Sequence, residues 1–370
     1  MTPSAPSSDE VSNLAAALGG LTDPAAQRAR LAAALPLPAE TRAALAQALK
    51  QQADRLVRAD IQQARRVAEL LRALGELAND PACTALGLRA LGNVHALGLG
   101  EFAEGLACYD AAAAIYGRLG DELQEAQSQI GKIYALSNLG EYDAALAVGR
   151  WASEVFERHA AWPALAGLLT NVAILHGRIS QDAAALAQLD RAAAICQRLG
   201  ADAQPLLLTI RLNRAILLRN LGRFDDSIAD LEAAWAGYRA LGETESAARA
   251  RQNLALTYFV LGRYNEALQL LDEARQVFLE DGRLRHAMLV ELFVSNCLLQ
   301  LRRFDEVLDK APQIRALFAE LGASFEVGQA LLNEATAHMG LAQPEAALAA
   351  LAEARAIFAA EGNAVAAADA

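Results

Sequence analysis

Residues that concentrate chemistry are scarce in this chain. Its 370 residues include only 4 cysteines, 5 histidines, 3 tryptophans and 10 prolines. Cys83, Cys108, Cys196 and Cys297 stand singly in apolar helical pattern, with no Cys-x-x-Cys pair. That spacing spells neither a disulfide framework nor a zinc site, and it fits buried thiols in a reduced, cytoplasmic setting. His95, His159, His176, His286 and His338 are scattered without His-x-x-x-His spacing, so no metal ligand set is expected. Basic residues are outnumbered: the net charge is -11 and the pI about 5.1. Nucleic acid needs a basic face and is excluded as the main ligand; the acid surplus serves solubility. No apolar run reaches the length that spans a bilayer, so no membrane partner is expected. Met1–Glu10 lacks the basic-then-apolar pattern of a secretion signal. No stretch alternates with strand period, and no Gly-rich phosphate loop follows a strand. These absences leave little room for catalysis, and no cofactor is implied.

What is abundant is alanine, leucine and regularity, which point to an all-α chain. A dipeptide returns with a fixed step at Leu99-Gly100, Leu139-Gly140, Leu221-Gly222 and Leu261-Gly262. Each is followed by an acid or arginine and then an aromatic, as in Glu101-Phe102 and Arg263-Tyr264. Weaker copies fall in register at Ile179-Ser180, Leu301-Arg302 and Leu341-Ala342, with steps of 40, 40, 42, 40, 40 and 40 residues. Periods of this size mark units that bury their apolar faces only by stacking on neighbours. A second glycine closes six of the seven units twenty residues on, at Gly120, Gly200, Gly242, Gly282, Gly322 and Gly362. The unit is therefore a helix A, a tight turn, a helix B and a second turn, because glycine suits the left-handed residue just past a helix end. The two extra residues between Gly200 and Gly222 predict a longer connector at 201–205, with Pro205 in the next helix's first turn.

Columns through the repeat predict the core. Five residues after the turn stand Gly105, Ala145, Ala185, Ser227, Ala267, Val307 and Ala347. Twelve after it stand Ala112, Ala152, Ala192, Ala234, Ala274, Ile314 and Ala354. Small side chains there let helix axes approach closely. Sixteen after it come Tyr116, Phe156, Cys196, Tyr238, Phe278, Phe318 and Phe358, which fill the space toward the next unit.

With its small columns and its Leu-Gly-x-aromatic turn, clearest in the run from Asn253 to Leu268, the array resembles tetratricopeptide repeats (TPR). The resemblance implies an α-solenoid of stacked antiparallel helix hairpins, a TPR superhelix, with about seven units over 81–362. It departs in its period of 40 instead of 34 and in ending units with Gly where many such repeats end with Pro. Residues 1–22 are expected to be a partly disordered leader with a short helix. Residues 23–80 hold capping helices and a degenerate hairpin (Asp23–Leu35, Pro38–Arg58, Asp60–Leu77), and 363–370 form a flexible tail. No polar helix closes the C-terminal hairpin, so that end would expose apolar surface open to self-association.

In the TPR fold helix A lines the concave side, and nine residues before each turn stand Leu91, Gly131, Asn171, Asn213, Asn253, Phe293 and Asn333. A side-chain amide both accepts and donates, so a row of asparagines can hold an extended peptide backbone; in the family an asparagine at the matching place often does so. The same amide can instead bond its own backbone, and both readings stand. Further groove positions are Gln127, Tyr134, Thr209, Arg219, Arg249, Gln252, Asn296 and Gln329. Arg219 and Arg249 are placed to meet a ligand carboxylate, or simply to face solvent. Phe293 is either an apolar pocket or core. A non-catalytic scaffold for a protein or extended peptide is the reading these residues favour. Runs at 53–60 and 85–93 are also similar to TPR regions ahead of bacterial caspase-like CHAT protease domains. The alternatives are a sensor domain, like the TPR-type domains of bacterial transcription activators and peptide-pheromone receptors, or a self-assembling module.

Overall fold

The computed structural model describes residues 8–57 and 59–360, and among them every regular element is helical. Residues 1–7 of the expected leader, Arg58, Gly362 and the tail at 363–370 lie outside the described residues. The chain divides between Ala203 and Gln204 into two compact units.

Unit 1 opens with α1 (Ser8–Gly19), α2 (Pro24–Ala34), α3 (Ala39–Leu56) and α4 (Ile61–Leu77). Three hairpins follow: α5 (Pro81–Asn93) with α6 (Phe102–Leu119), α7 (Glu122–Asn138) with α8 (Tyr142–Arg158), and α9 (Trp162–Arg178) with α10 (Asp182–Leu199). A π-helical turn, Val94–Leu99, carries α5 to the Gly100 turn. Asp23, Asp60 and Asp80, just ahead of their helices, accept backbone N–H bonds as N-caps. At the start of the chain α1 packs against α3 and α4, with Leu18 fully buried.

Unit 2 holds four hairpins: α11 (Gln204–Asn220) with α12 (Phe224–Ala240), α13 (Thr244–Val260) with α14 (Tyr264–Glu280), α15 (Leu284–Gln300) with α16 (Phe304–Glu320), and α17 (Ser324–Gly340) with α18 (Pro344–Ala360). Each unit is thus a stack of antiparallel helix hairpins, an α-solenoid, as the repeat implied. The longer connector predicted after Gly200 is present. There Gly200 (φ 78, ψ -143) leaves the geometry of the other turns and a 3-10 turn, Gly200–Ala203, precedes α11.

The weaker turn copies are true copies. Ser180, Arg302 and Ala342 take φ of 57, 59 and 56, beside 74 at Gly262. An L-residue pays roughly 1–2 kcal/mol for that conformation, so the hairpin geometry is imposed by packing on both sides. All three core columns are buried throughout. Phe278, Phe318 and Phe358 are fully enclosed, each contributing on the order of 1.5–3 kcal/mol of burial. Where Ser227 replaces alanine, its Oγ donates to the Ala215 carbonyl at 2.8 Å. Leu348 on α18 is 66% exposed, while Leu268 and Leu308, its counterparts, are half-buried under the next hairpin.

The two helix classes are not equivalent. Within each unit the A helices also touch one another in succession, α5–α7–α9 and α11–α13–α15–α17, whereas successive B helices do not approach as closely. The A helices are therefore the inner side of each stack.

Candidate functional site

On each A helix the residues 13, 9, 6 and 2 before the turn share one face, since their spacings of 4, 3 and 4 follow the helical period. In unit 2 this stripe reads Thr209-Asn213-Ile216-Asn220 on α11 and Arg249-Asn253-Leu256-Val260 on α13. It continues as Leu289-Phe293-Asn296-Gln300 on α15 and Gln329-Asn333-Thr336-Gly340 on α17. Every member is half-buried or exposed, and Val260 is 57% exposed despite being apolar.

The expected groove residues of unit 1 are mostly engaged by the protein itself. Gln127 accepts a hydrogen bond from Arg89 Nη1 at 3.2 Å, and Gln124 accepts another from the same nitrogen at 3.1 Å. Burial pushes the Arg89 guanidinium below its ordinary pKa, so these amide oxygens compensate a cation that has lost water. The Tyr134 ring meets Phe102 edge-on at 6.1 Å. Asn138 donates to the Tyr134 carbonyl and accepts from Arg178. Asn171 has no hydrogen-bond partner among the described residues. Gly131 breaks the asparagine column for a steric reason: the Tyr109 ring from α6 lies over it, and a Cβ there would sit 2.7 Å from Tyr109 Cε1. The Tyr109 hydroxyl donates to Asn93 Oδ1 at 2.9 Å, and Asn93 donates to Asp54, which also pairs with buried Lys50. Sequence reasoning missed this network; its one legible signal was a tyrosine at a position where most later units carry leucine (Leu189, Leu231, Leu271, Leu351).

Unit 2 is different. Thr209 donates to the Pro205 carbonyl and lies 3.2 Å from the Tyr238 hydroxyl, and Asn253 Nδ2 donates to the Arg249 carbonyl at 2.9 Å. Asn253 thus takes the self-bonding role with one of its groups and keeps Oδ1 as an acceptor. The side chains of Asn213, Gln252, Asn296, Gln329 and Asn333 have no hydrogen-bond partner among the described residues, and none of their polar atoms is sealed from solvent. Arg249 is exposed and Arg219 half-buried, and neither has a carboxylate partner among the described residues. Burial lowers the Arg219 pKa, and its Nη1 is enclosed without an acceptor.

Several other cations of unit 2 are matched, although Arg211 Nε, like Arg219 Nη1, is enclosed without an acceptor. Arg214 grips Asp230 through two bonds of 2.6 and 2.7 Å. Arg251 stacks on Trp235, 3.7 Å from the ring centroid, and pairs with Glu273, lining a cavity of about 250 Å³ on the opposite side of α13. Buried Glu291 receives Arg275 at 2.9 Å and Lys310 at 3.0 Å. These bridges tie consecutive helices together. The sequence hinted at Glu291 only by placing an acid in the column that holds Arg211 and Arg251.

Nucleophiles are poorly disposed. Burial, with Asp80 nearby, pushes the Cys83 thiol up to about 12, and burial pushes Cys297 up to about 11. Among the described residues no three His, Cys, Asp or Glu side chains converge as a metal would require. No described helix is long and apolar enough to cross a membrane.

Comparison with known proteins places these features. Residues 206–280 match the tetratricopeptide repeat family. No curated protein matches the sequence. A signal transduction ATPase with a tetratricopeptide repeat sensor from Pyrococcus horikoshii is similar in structure, with a TM-score of 0.64 and 13% identity over 91% of this chain and 53% of that one. The apo quorum sensor NprR from B. thuringiensis gives 0.60 and 15%, covering 85% of this chain and 88% of its own. Aspartyl phosphate phosphatase F from Bacillus subtilis gives 0.59 and 14%, covering 96% of each. At such identities the likeness concerns the fold. The match at 206–280 spans α11 to α14, the helices that carry Asn213 and Asn253.

Proposed function

We propose that the inner face of unit 2 binds a peptide or an extended protein segment, without catalysing a reaction on it. The observation that carries this is a set of polar side chains left open on one face. Asn213 and Asn333 stand in register on helices three hairpins apart, half-buried and without internal partners. A half-buried amide has lost part of its water, so a ligand backbone that supplies both a donor and an acceptor restores what folding removed. Two of the structures similar in fold are named as sensors, which supports ligand capture by stacks of this kind. A role in a bacterial signalling or protease system, the latter through the CHAT resemblance, rests on the runs at 53–60 and 85–93 alone.

The test uses peptides selected from a random display library on the full chain. The double variant Asn213→Ala/Asn333→Ala is expected to bind them at least tenfold more weakly with unchanged helicity. Unaltered affinity rejects the face. A second reading, self-association through α18, is favoured by the exposed Leu348; light scattering over a dilution series decides it, since only a self-assembler changes mass.

A further inference from the structure

Resting on that reading, we propose that the ligand of unit 2 is an acidic, proline-tolerant peptide held in an extended polyproline-II conformation, advancing three residues per hairpin. The argument begins with spacing. Helices in direct contact lie about 8–10 Å apart, and α11, α13, α15 and α17 touch in succession. The stripe therefore offers one equivalent contact roughly every 9 Å. A polyproline-II chain rises about 3.1 Å per residue with three residues per turn, so it presents the same side of its backbone about every 9.3 Å. A β-strand repeats every two residues, about 6.8 Å, and falls out of step by the second hairpin. An α-helical ligand keeps its own amides bonded and has no use for a row of side-chain amides.

The order of side chains along the stripe then gives the ligand a pattern. The row nine before the turn reads Asn213, Asn253, Phe293, Asn333. Ligand residues 1, 4 and 10 face amides, and residue 7 faces Phe293. Leu289 lies one helical turn from Phe293, so residue 7 is apolar. Asn253 uses an amide hydrogen on the Arg249 carbonyl and keeps Oδ1 as the acceptor. A backbone N–H at residue 4 satisfies that acceptor, and proline there leaves it unmet. Arg249 lies one turn from Asn253, exposed and without a carboxylate among the described residues. An acid beside residue 4 completes it.

The test is a proline scan of a fluorescein-labelled twelve-residue peptide selected on the full chain, read by anisotropy against wild type, Asn213→Ala/Asn333→Ala and Arg249→Gln. Proline is expected to weaken binding at least tenfold at residues 1, 4 and 10, whose spacing is three or a multiple of three, and to be tolerated elsewhere, including residue 7 against Phe293. Neutralising the peptide's acid is expected to cost about tenfold on wild type and nothing further on Arg249→Gln. Sensitivity at every position, or at alternate positions, overturns the three-residue step. If the asparagine variant still loses affinity in that case, the binding face survives. An acid whose loss is equally costly on Arg249→Gln overturns the charge pairing. Binders indifferent to the asparagine variant, or no binders at all, overturn the face and the ligand together.

Discussion

Restoring the asparagine that unit 1 lacks is the sharpest probe of the packing argument. Gly131→Asn would place a Cβ 2.7 Å from Tyr109 Cε1 and closer still to the end of the ring. Tyr109 is itself fully buried and pressed against Gly92 from the other side, so it cannot swing away. Overpacking of this kind costs about 1–3 kcal/mol, offset by only a few tenths from replacing glycine within a helix. Tyr109→Leu alone should cost about 2–4 kcal/mol, through the lost hydroxyl bond to Asn93 and the space the ring vacates. Leucine is what Leu189, Leu231 and Leu271 supply at the same column, and it leaves room for the asparagine. The double variant should therefore be less destabilised than the sum of the singles, with a coupling of about 1–2 kcal/mol. Urea unfolding followed by far-UV circular dichroism, with hydrogen exchange on α5–α7 to localise the change, measures all three. Strict additivity would show that Tyr109 is not what keeps Gly131 a glycine.

Two further outcomes test other levels of the structure. Ala234→Leu puts three extra carbons into a fully buried column and should lower stability by roughly 1–3 kcal/mol; a variant of native stability would mean the repeat register is misassigned. Burial alone would raise the Asp80 pKa, but the Arg42 bond at 2.6 Å and the Cys83 N–H outweigh it and hold the carboxyl below its usual range. A depressed carboxylate stabilises the fold above its unfolded pKa of about 3.9 and loses that contribution as pH falls through the folded value. Asp80→Asn should therefore be less stable than wild type at neutral pH by about 1–3 kcal/mol, and the gap should close as the pH drops below 4. A gap that ignores pH would remove the ion pair from the account.

The repeat was legible because packing and turn chemistry agree at every copy. Ser180, Arg302 and Ala342 could be placed by spacing alone, since the small column at Ala185, Val307 and Ala347 follows each at the same distance. The break at Ala203/Gln204 was half-legible: the two extra residues and Pro205 foretold a longer connector, but not that the chain divides there. The candidate site was legible as a face and illegible as chemistry. Spacing put Gln127, Tyr134 and Asn213 on equivalent faces, yet only side-chain geometry reveals that Gln127 answers Arg89 and Tyr134 packs on Phe102. Those partners come from other helices 32 to 38 residues away, and a one-dimensional pattern does not carry such distances.

The contrast between the two stacks follows from a handful of residues on one backbone plan. In unit 1 the half-buried guanidinium of Arg89, the exposed one of Arg178 and the hydroxyl of buried Tyr109 each draw partners; where such a polar group is buried, leaving it unmet costs about 1–3 kcal/mol. Gln124, Gln127, Asn93 and Asn138 meet that demand. In unit 2 leucine replaces tyrosine at the same column (Leu231, Leu271), and of the two cations equivalent to Arg89, Arg251 is answered from the other side by Trp235 and Glu273 while Arg211 draws on none of the inner amides. The inner amides of unit 2 are thereby released from structural duty. Freedom from internal partners, more than the asparagine column itself, is what distinguishes a face available for recognition from one consumed in holding the stack together.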